Sequence, residues 1–263
     1  MSLAVVEHGH ERTHTVVLLH GGGGGGWMWA PQLEALSAYH VLVPDLPEHG
    51  ASRTAGPFSI ASAASAIAAL VAARAHGGRA VVIGASLGAQ IALQLVATAP
   101  ERVSRAMLTG ALVRPVFGAS LAPWMARSYW PFKDAPWLVR ANMKSLGIPM
   151  EFFEPFAAET RATTLEAFLR ITAENTAFRA PEALANCDVP MLVLVGSREP
   201  GVMLKSARDL AALVPTARAY RVEGASHNWS METPALFNET ARAWLDDAPL
   251  PASLRAIEAP PRA

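Results

Sequence analysis

Cysteine is nearly absent from this chain, since Cys187 is the single one among 263 residues. One cysteine excludes a disulfide within the chain and is typical of proteins from a reducing compartment. The first ten residues contain no apolar stretch after a basic start, so we expect no secretory signal. These observations together predict a cytoplasmic protein.

Net charge and long apolar runs are also lacking. The chain has 22 basic residues (Lys plus Arg) and 22 acidic residues (Asp plus Glu), so the formal net charge is zero. We therefore expect no nucleic-acid partner. No stretch approaches roughly eighteen consecutive apolar residues, so we expect no membrane span and no membrane partner. Hydrophobic residues make up 51% of the chain, which is enough for the core of one α/β domain. A small molecule is the expected partner, and the sequence does not define an oligomeric state.

The chain alternates short apolar runs with helical segments. Apolar runs predict strands at 3–7, 15–19, 40–43, 80–83, 106–109, 189–195 and 219–222. Other segments predict helices at 31–38, 61–75, 89–97, 204–214 and 234–245. Strongly apolar strands that alternate with helices are typical of a mostly parallel sheet covered on both faces, so the predicted class is α/β.

The alternation stops between residues 113 and 184. Prolines divide this segment into short helices, and aromatic residues concentrate in it: Phe117, Trp124, Tyr129, Trp130, Phe132, Trp137, Phe152, Phe153, Phe156, Phe168 and Phe178. We interpret 113–184 as a helical cap inserted into a core formed by 1–112 and 185–248. The remaining residues, 249–263, are rich in Pro and Ala and predict a flexible tail.

Aromatic side chains in and near the cap are candidates for the wall of a substrate pocket, because ligand sites are mainly apolar. Most aromatics of a cap must hold it to the core, so only some of them are expected to meet substrate. The candidates are Trp27, Trp124, Trp130, Phe132, Trp137, Phe153 and Trp229.

The pattern Gly84-Ala85-Ser86-Leu87-Gly88 stands between a predicted strand and a predicted helix. In that context, a Gly-x-Ser-x-Gly turn presents a nucleophilic serine. Small residues at 84 and 88 avoid collisions with the neighbouring strand or helix, and the Leu87 N–H points to where an oxyanion would form. The pattern alone also fits an ordinary Gly/Ser turn, so the identity of Ser86 depends on its partners.

Six glycines, Gly21 to Gly26, follow His20 at the end of the predicted strand 15–19. One interpretation is a dinucleotide site, because Asp45 follows the last of these glycines by 19 residues. The segment 27–31 stands where that fingerprint requires a helix, which counts against it. A second interpretation is an oxyanion loop in which the Gly22 N–H faces the nucleophile. A third is a flexible loop with a structural role alone.

Candidate partners of the serine follow two later strands. A serine hydroxyl attacks a carbonyl when a base accepts its proton and a third group orients that base. His227 follows the last predicted strand of the core and is the predicted base. His20 and His49 are the rival histidines, and we expect both to organise their loops through hydrogen bonds.

Glu199 follows the predicted strand 189–195 and is the predicted acid of the triad. No carboxylate follows the strand that ends at Thr109, and Asp188 precedes its strand and so lies at the wrong edge of the sheet. A surface carboxylate beside Arg198 is the alternative interpretation of Glu199.

Together these motifs resemble those of the α/β-hydrolase superfamily, in its small capped branch, over about 5–245. The resembling segments are His20-Gly21-Gly22, Pro44-Asp45 with His49-Gly50, Gly84-Ala85-Ser86-Leu87-Gly88, Gly196-Ser197-Arg198-Glu199 and Gly224-Ala225-Ser226-His227. The resemblance implies a mechanism that requires no metal and no organic cofactor. The sequence departs from the family pattern at two places. Glu199 stands where Asp is usual, and polyglycine replaces the usual loop of mixed composition after His20-Gly21. The polyglycine predicts a mobile oxyanion loop, since glycines lose more entropy on ordering.

We therefore expect a serine hydrolase that cleaves an ester or thioester of a small, largely apolar substrate through an acyl-enzyme. Similar capped proteins open lactones, cleave carbon–carbon bonds or form rings, and the fold does not separate these reactions. A non-catalytic ligand-binding protein is a third hypothesis, against which the intact Ser86, Glu199 and His227 count.

Overall fold

The fold is taken from a computed structural model that describes residues 2–116, 118 and 121–258. Phe117 of the predicted cap and residues 259–263 of the predicted tail lie outside these residues. The strands are β1 (Val5–His8), β2 (Thr15–Leu19), β3 (His40–Pro44), β4 (Ala80–Ala85), β5 (Val103–Thr109), β6 (Met191–Gly196), β7 (Ala217–Val222) and β8 (Leu254–Ala256).

These eight strands form one sheet in the order β1-β3-β2-β4-β5-β6-β7-β8. Neighbours from β3 to β7 pair in parallel, whereas β1 and β8 pair antiparallel at the two edges. The predicted α/β class with a mostly parallel sheet is therefore confirmed. The carboxyl ends of the parallel strands meet at one edge of the sheet, where loops can carry a site.

The helices are α1 (Ala30–Leu33), α2 (Ile60–Arg74), α3 (Leu87–Thr98), α4 (Ala122–Tyr129), α5 (Pro136–Leu146), α6 (Phe153–Ala162), α7 (Leu165–Ala177), α8 (Gly201–Leu213), α9 (Trp229–Glu232) and α10 (Pro234–Leu245). Successive side chains of a strand point to opposite faces of the sheet. Val17 and Leu19 therefore join the core cluster that contains α2, α3 and α8, while Val16 and Leu18 join the cluster that contains α10. Both faces of the sheet are covered by helices, as the apolar strands predict.

Helices α4 to α7 follow one another between β5 and β6, in the segment predicted as a cap. A smaller apolar cluster lies beneath them, in which Val139, Met143 and Phe156 pack with Met28 and Met231 of the core. In the part of the chain that the structure describes, no helix combines the length and the apolar character that a membrane crossing needs.

The C-terminal segment differs from the flexible tail predicted for 249–263. Residues Leu254–Ala256 form β8, which pairs with β7, and Leu254 is buried against the core. Three residues are too few to show an alternating pattern, so the sequence does not distinguish this edge strand from a loose segment.

Candidate active site

Ser86 occupies the sharp turn between β4 and α3. Its backbone lies at φ 53° and ψ −113°, a strained conformation for a residue with a side chain. Its N–H donates to the Thr109 carbonyl oxygen at 2.8 Å, which fixes the turn to the end of β5. A Cβ at residue 84 would lie 2.5 Å from the Gly88 carbonyl oxygen, and one at residue 88 would lie 2.2 Å from that of Leu19. Only glycine fits at these two positions.

His227 and Glu199 form a hydrogen-bonded pair on adjacent loops. The distance from His227 Nδ1 to Glu199 Oε2 is 2.5 Å, and the Glu199 side chain is fully buried. Its second oxygen, Oε1, accepts from the Gly196 N–H at 2.8 Å. An Nδ1–H that donates to a carboxylate leaves Nε2 as the nitrogen that can accept a proton. The pair therefore has the geometry of a base and its orienting acid.

Gly110, directly after β5, lies against this pair. Its φ is +62°, and a Cβ there would lie 2.7 Å from His227 Cε1 and 3.4 Å from Glu199 Oε2. A side chain at the end of β5 would thus displace the pair, which is consistent with an acid that follows β6 instead. Beside it, Thr109 Oγ1 accepts from the buried Trp229 Nε1 at 2.7 Å, so Trp229 supports the site from below.

His20 and His49 organise the neighbouring loops. The buried His20 donates from Nδ1 to the Gly21 carbonyl oxygen at 2.8 Å and accepts at Nε2 from the Leu46 N–H at 3.0 Å. His49 donates from Nδ1 to the Pro47 carbonyl oxygen at 2.9 Å, and its Nε2 accepts from Gly23 N–H at 3.2 Å. Both rings use both nitrogens on loop backbone, which is the role predicted for these rival histidines.

The two rings are neutral at neutral pH. Burial, followed by the neighbouring His20, lowers the pKa of His49 to about 3. Burial likewise lowers the pKa of His20. Their ring centroids lie 5.1 Å apart in an edge-to-face arrangement.

Asp45 ties the polyglycine loop to the next loop of the core. Its Oδ1 accepts from the Gly26 N–H at 2.7 Å, and its Oδ2 accepts from the Ala51 N–H at 2.8 Å. Both oxygens thus bind backbone, and Gly26 begins a short 3-10 turn, so the structure does not support the dinucleotide interpretation. The predicted mobile loop also finds no support, because Gly23 and Gly26 both donate to core side chains. Asp45 directly follows β3, and this position is the sequence signal for its role in joining the two loops.

The predicted oxyanion donors flank the serine. A Cβ placed on Gly22 would lie 3.5 Å from Leu87 Cδ2, and one placed on Gly21 would lie 3.5 Å from Ser86 Cβ. Leu87 is the first residue of α3, and its side chain is fully buried. The glycine loop therefore packs against Ser86 and the amino end of α3.

Two adjacent cavities open at this point. A small one of about 60 Å³ is lined by Gly21, Gly22, Gly23, Gly24, Met28, Ser86, Leu146, Ile148, Phe156, His227 and Asn228. A larger one of about 330 Å³ is lined by Gly22, Gly23, Tyr129, Trp130, Lys133, Asn142, Ser145, Leu146, Phe156, Thr160, Thr163 and Phe168. The two share Gly22, Gly23, Leu146 and Phe156, so the small cavity at the serine adjoins a larger chamber under the cap.

The structure places one of the seven predicted pocket aromatics, Trp130, in the wall of the larger cavity. Trp124, Phe132 and Trp137 are exposed at 73%, 58% and 65%. The prediction that they line the pocket is wrong for this structure. Trp124 and Trp137 lie on short helices that contain a proline in the first turn, and Phe132 lies in a 3-10 turn, so the sequence does not indicate which face meets the core.

The other predicted aromatics lie outside both cavity walls. Trp27 stacks on Phe152 beneath the cap, with ring centroids 6.1 Å apart. Phe153 lies 4.8 Å below the Arg140 guanidinium. The aromatic pattern of the sequence does not indicate the polar residues that line the larger cavity: Lys133, Asn142, Ser145, Thr160 and Thr163.

The loop that carries His227 is joined to the cap through one carbonyl oxygen. Leu146 O, at the end of α5, accepts from Asn228 N–H at 3.3 Å and from Asn228 Nδ2 at 2.8 Å. The next residue, Gly147, has φ +72°, and a Cβ there would lie 1.9 Å from Ser226 Oγ. The cap and the base loop therefore meet closely at residues 146 and 147.

Two ion pairs also join the cap to the core. Arg170 of α7 binds both oxygens of Glu48 at 3.0 Å. Arg53 binds the buried Glu159 of α6 at 2.8 Å, and burial raises the pKa of that carboxyl group.

Known proteins share this fold and sequence pattern. The profile of the alpha/beta hydrolase family matches residues 16–240. The chain is 30% identical to the pimeloyl-[acyl-carrier protein] methyl ester esterase of Xanthomonas campestris pv. campestris (strain B100), over 86% of this chain and 91% of that protein.

Solved structures agree on the fold. An esterase from Exiguobacterium antarcticum has a TM-score of 0.80 at 17% identity and covers 93% of this chain and 95% of its own. The enol-lactonase from Burkholderia xenovorans LB400 has a TM-score of 0.75 at 24% identity and covers 93% of this chain and 96% of its own. With the family match extending from β2 to α10, the chain belongs to the alpha/beta hydrolase family.

Proposed function

We propose that this protein is a serine hydrolase that cleaves an ester or thioester of a small molecule through an acyl-enzyme. The observation that carries the proposal is the 2.5 Å contact between His227 Nδ1 and the buried Glu199, with His227 and Ser86 in the wall of one cavity. The relative from Xanthomonas campestris is named an esterase, which supports an ester as the substrate.

In the proposed mechanism, Ser86 Oγ attacks the scissile carbonyl carbon while His227 Nε2 accepts its proton. Glu199 orients the imidazole ring and stabilises the imidazolium. The N–H groups of Gly22 and Leu87 donate to the oxyanion. His227 then returns the proton to the leaving oxygen or sulfur, and a water molecule that His227 deprotonates hydrolyses the acyl-enzyme. No step requires a metal or an organic cofactor.

The experiment is intact-mass measurement after incubation with a fluorophosphonate, followed by kinetics on a panel of esters, thioesters and lactones. We expect one adduct on the wild type, none on Ser86→Ala and much slower labelling of His227→Ala. Ser128→Ala, which changes an exposed cap serine, is the matched control and should label like the wild type. Labelling of Ser86→Ala at the wild-type rate would contradict the proposal. The panel then identifies the bond that is cleaved.

A further inference from the structure

A few polar side chains stand in the mainly apolar wall of the larger cavity under the cap. Twelve of the residues that the structure describes line it; among them Lys133 is the single charged one, and none is an Asp or a Glu. Asn142 and Ser145 lie three residues apart on α5 and so share one face of that helix. Amide and hydroxyl groups can both donate hydrogen bonds. The cavity therefore offers a positive charge and donors to whatever occupies it.

Lys133 is held in place by backbone at the end of α6. Its Nζ donates to the Thr160 and Arg161 carbonyl oxygens at 2.5 and 2.8 Å, and it lies 5.4 Å from the Trp130 ring centroid. An ammonium group has three N–H donors, so these two bonds leave one. Among the residues that the structure describes, no carboxylate lies within ion-pair distance of Nζ.

Of the charged groups that shift the pKa of Lys133, two are positive and one is negative. Burial lowers the pKa of its ammonium group, Asp134 raises it, and the positive charges of Arg161 and Arg53 lower it further. A half-buried cation in such surroundings is stabilised by an anion that enters the cavity.

The cavity is also placed to receive part of a substrate whose scissile bond lies at Ser86. It shares Gly22, Gly23, Leu146 and Phe156 with the small cavity that contains Ser86 and His227. Its volume of about 330 Å³ lies at the lower end of the range for small-molecule sites. One end of a substrate can thus lie at the serine while the other end lies near Lys133.

We propose that this cavity binds a carboxylate at the far end of the substrate, with Lys133 as its ion-pair partner and Asn142 and Ser145 as further donors. The substrate is then an ester or thioester of a molecule that carries a second, ionised acid group. This inference rests on the proposed hydrolase function of Ser86. The carboxylate can belong to the acyl chain or to the alcohol, and the two arms of the test separate these sources.

The test compares kcat/KM for charged and neutral esters of equal length. The acyl arm pairs the p-nitrophenyl half-ester of adipic acid with p-nitrophenyl hexanoate, and the alcohol arm pairs 4-acetoxybutanoate with butyl acetate. We expect the charged-to-neutral ratio to fall at least tenfold in one arm for Lys133→Met and to recover in part for Lys133→Arg. Lys205→Met, which removes an exposed charge on α8, is the matched control and should leave the ratio unchanged.

A binding measurement keeps this inference separate from the hydrolase proposal. Calorimetric titration of Ser86→Ala with adipate should show binding that weakens with salt and is lost when Lys133→Met is added. That result without any ester cleavage by the wild type would contradict the hydrolase function but not the carboxylate site. Equal ratios in the wild type and Lys133→Met in both arms would overturn the carboxylate site. So would an equal loss on charged and neutral esters together with a lower melting temperature, since Lys133 would then serve α6 alone.

Discussion

The core and the cap hold their parts of the candidate site in different ways. In the core, Ser86 and Glu199 are fixed by backbone groups of neighbouring strand ends, Thr109 and Gly196, and the Glu199 side chain is fully buried. In the cap, short helices form a half-exposed wall, and large apolar side chains such as Trp124 face solvent. We infer from this difference that, in the proposed hydrolase, the sheet sets the chemistry and the cap selects the substrate.

Loss of the charge on Glu199 should have the largest effect. Glu199→Gln keeps an acceptor for the Gly196 N–H but cannot stabilise the imidazolium, so we expect kcat/KM to fall about 10³- to 10⁴-fold. Steady-state ester hydrolysis measures this loss. Glu223→Gln changes an exposed carboxylate paired with Arg221 and should behave like the wild type. A loss of less than tenfold in Glu199→Gln would remove Glu199 from the proposed triad.

Substitution of Gly110 tests whether the residue after β5 holds the proposed catalytic pair, His227 and Glu199, in place. Gly110→Ala places a Cβ against His227 and Glu199, so we expect kcat/KM to fall about 100-fold as the pair is displaced. Gly77→Ala is the matched control, because Gly77 has φ +66° and no atom within 4 Å of its Cβ position. Both variants should lose stability from the left-handed backbone, by roughly 1 kcal/mol. Equal activities of the two variants would contradict the role assigned to Gly110.

Acid should destabilise the core loop that contains His49. The folded pKa of His49 is about 3, well below the 6.5 of an exposed histidine. Above about pH 6.5 the ring is neutral in both states, so its contribution to stability is complete there. As the pH falls from 6.5 towards 3, the unfolded chain binds a proton that the folded chain does not, and stability is lost.

Urea unfolding at pH 7, 6 and 5 measures this loss. We expect the free energy of unfolding to fall by about 1.4 kcal/mol per pH unit below pH 6 for each histidine of this kind. His49→Gln should make the dependence of the unfolding free energy on pH weaker by about 1.4 kcal/mol per pH unit, which corresponds to one proton. Replacement of the exposed His14 by Gln should leave this dependence unchanged. A stability that stays constant from pH 6.5 to pH 5 would contradict the neutral state of His49.

The smallest effect is expected on the outer face of the cap. Trp124 is 73% exposed, so Trp124→Ala should change KM less than twofold for any ester substrate. Trp130→Ala, on the inner face, should raise KM several-fold because Trp130 lines the larger cavity. A similar KM in both variants would mean that the cap does not select substrate through this wall.

The sequence predicts the core well because its signals are local. The strands β2, β3, β4 and β6 contain continuous apolar runs. The turn that contains Ser86 is defined by two glycines for which the structure has no alternative. The predicted loops of Glu199 and His227 lie together because parallel strands end at one edge of the sheet. These features need only neighbouring residues to be recognised.

The cap is less predictable because its signals are not local. The helices α4 and α5 are short and contain a proline in their first turn, so the exposure of Trp124 and Trp137 depends on how the helices pack. Lys133 gives no local signal either, since its partners are backbone oxygens of α6 about 27 residues later. The edge strand β8 likewise depends on pairing with β7 rather than on its own three residues.

The carbonyl oxygen of Leu146 limits which caps could be exchanged between related proteins. A foreign cap grafted onto this core would have to present a carbonyl to Asn228 at the same point, followed by a residue without a side chain beside Ser226. A graft that keeps residues 146–148 from this chain meets both conditions, and it would also need partners for Glu48 and Arg53 of the core in place of Arg170 and Glu159. Selectivity can therefore be redesigned by exchanging the cap, provided that these junctions with the core are retained.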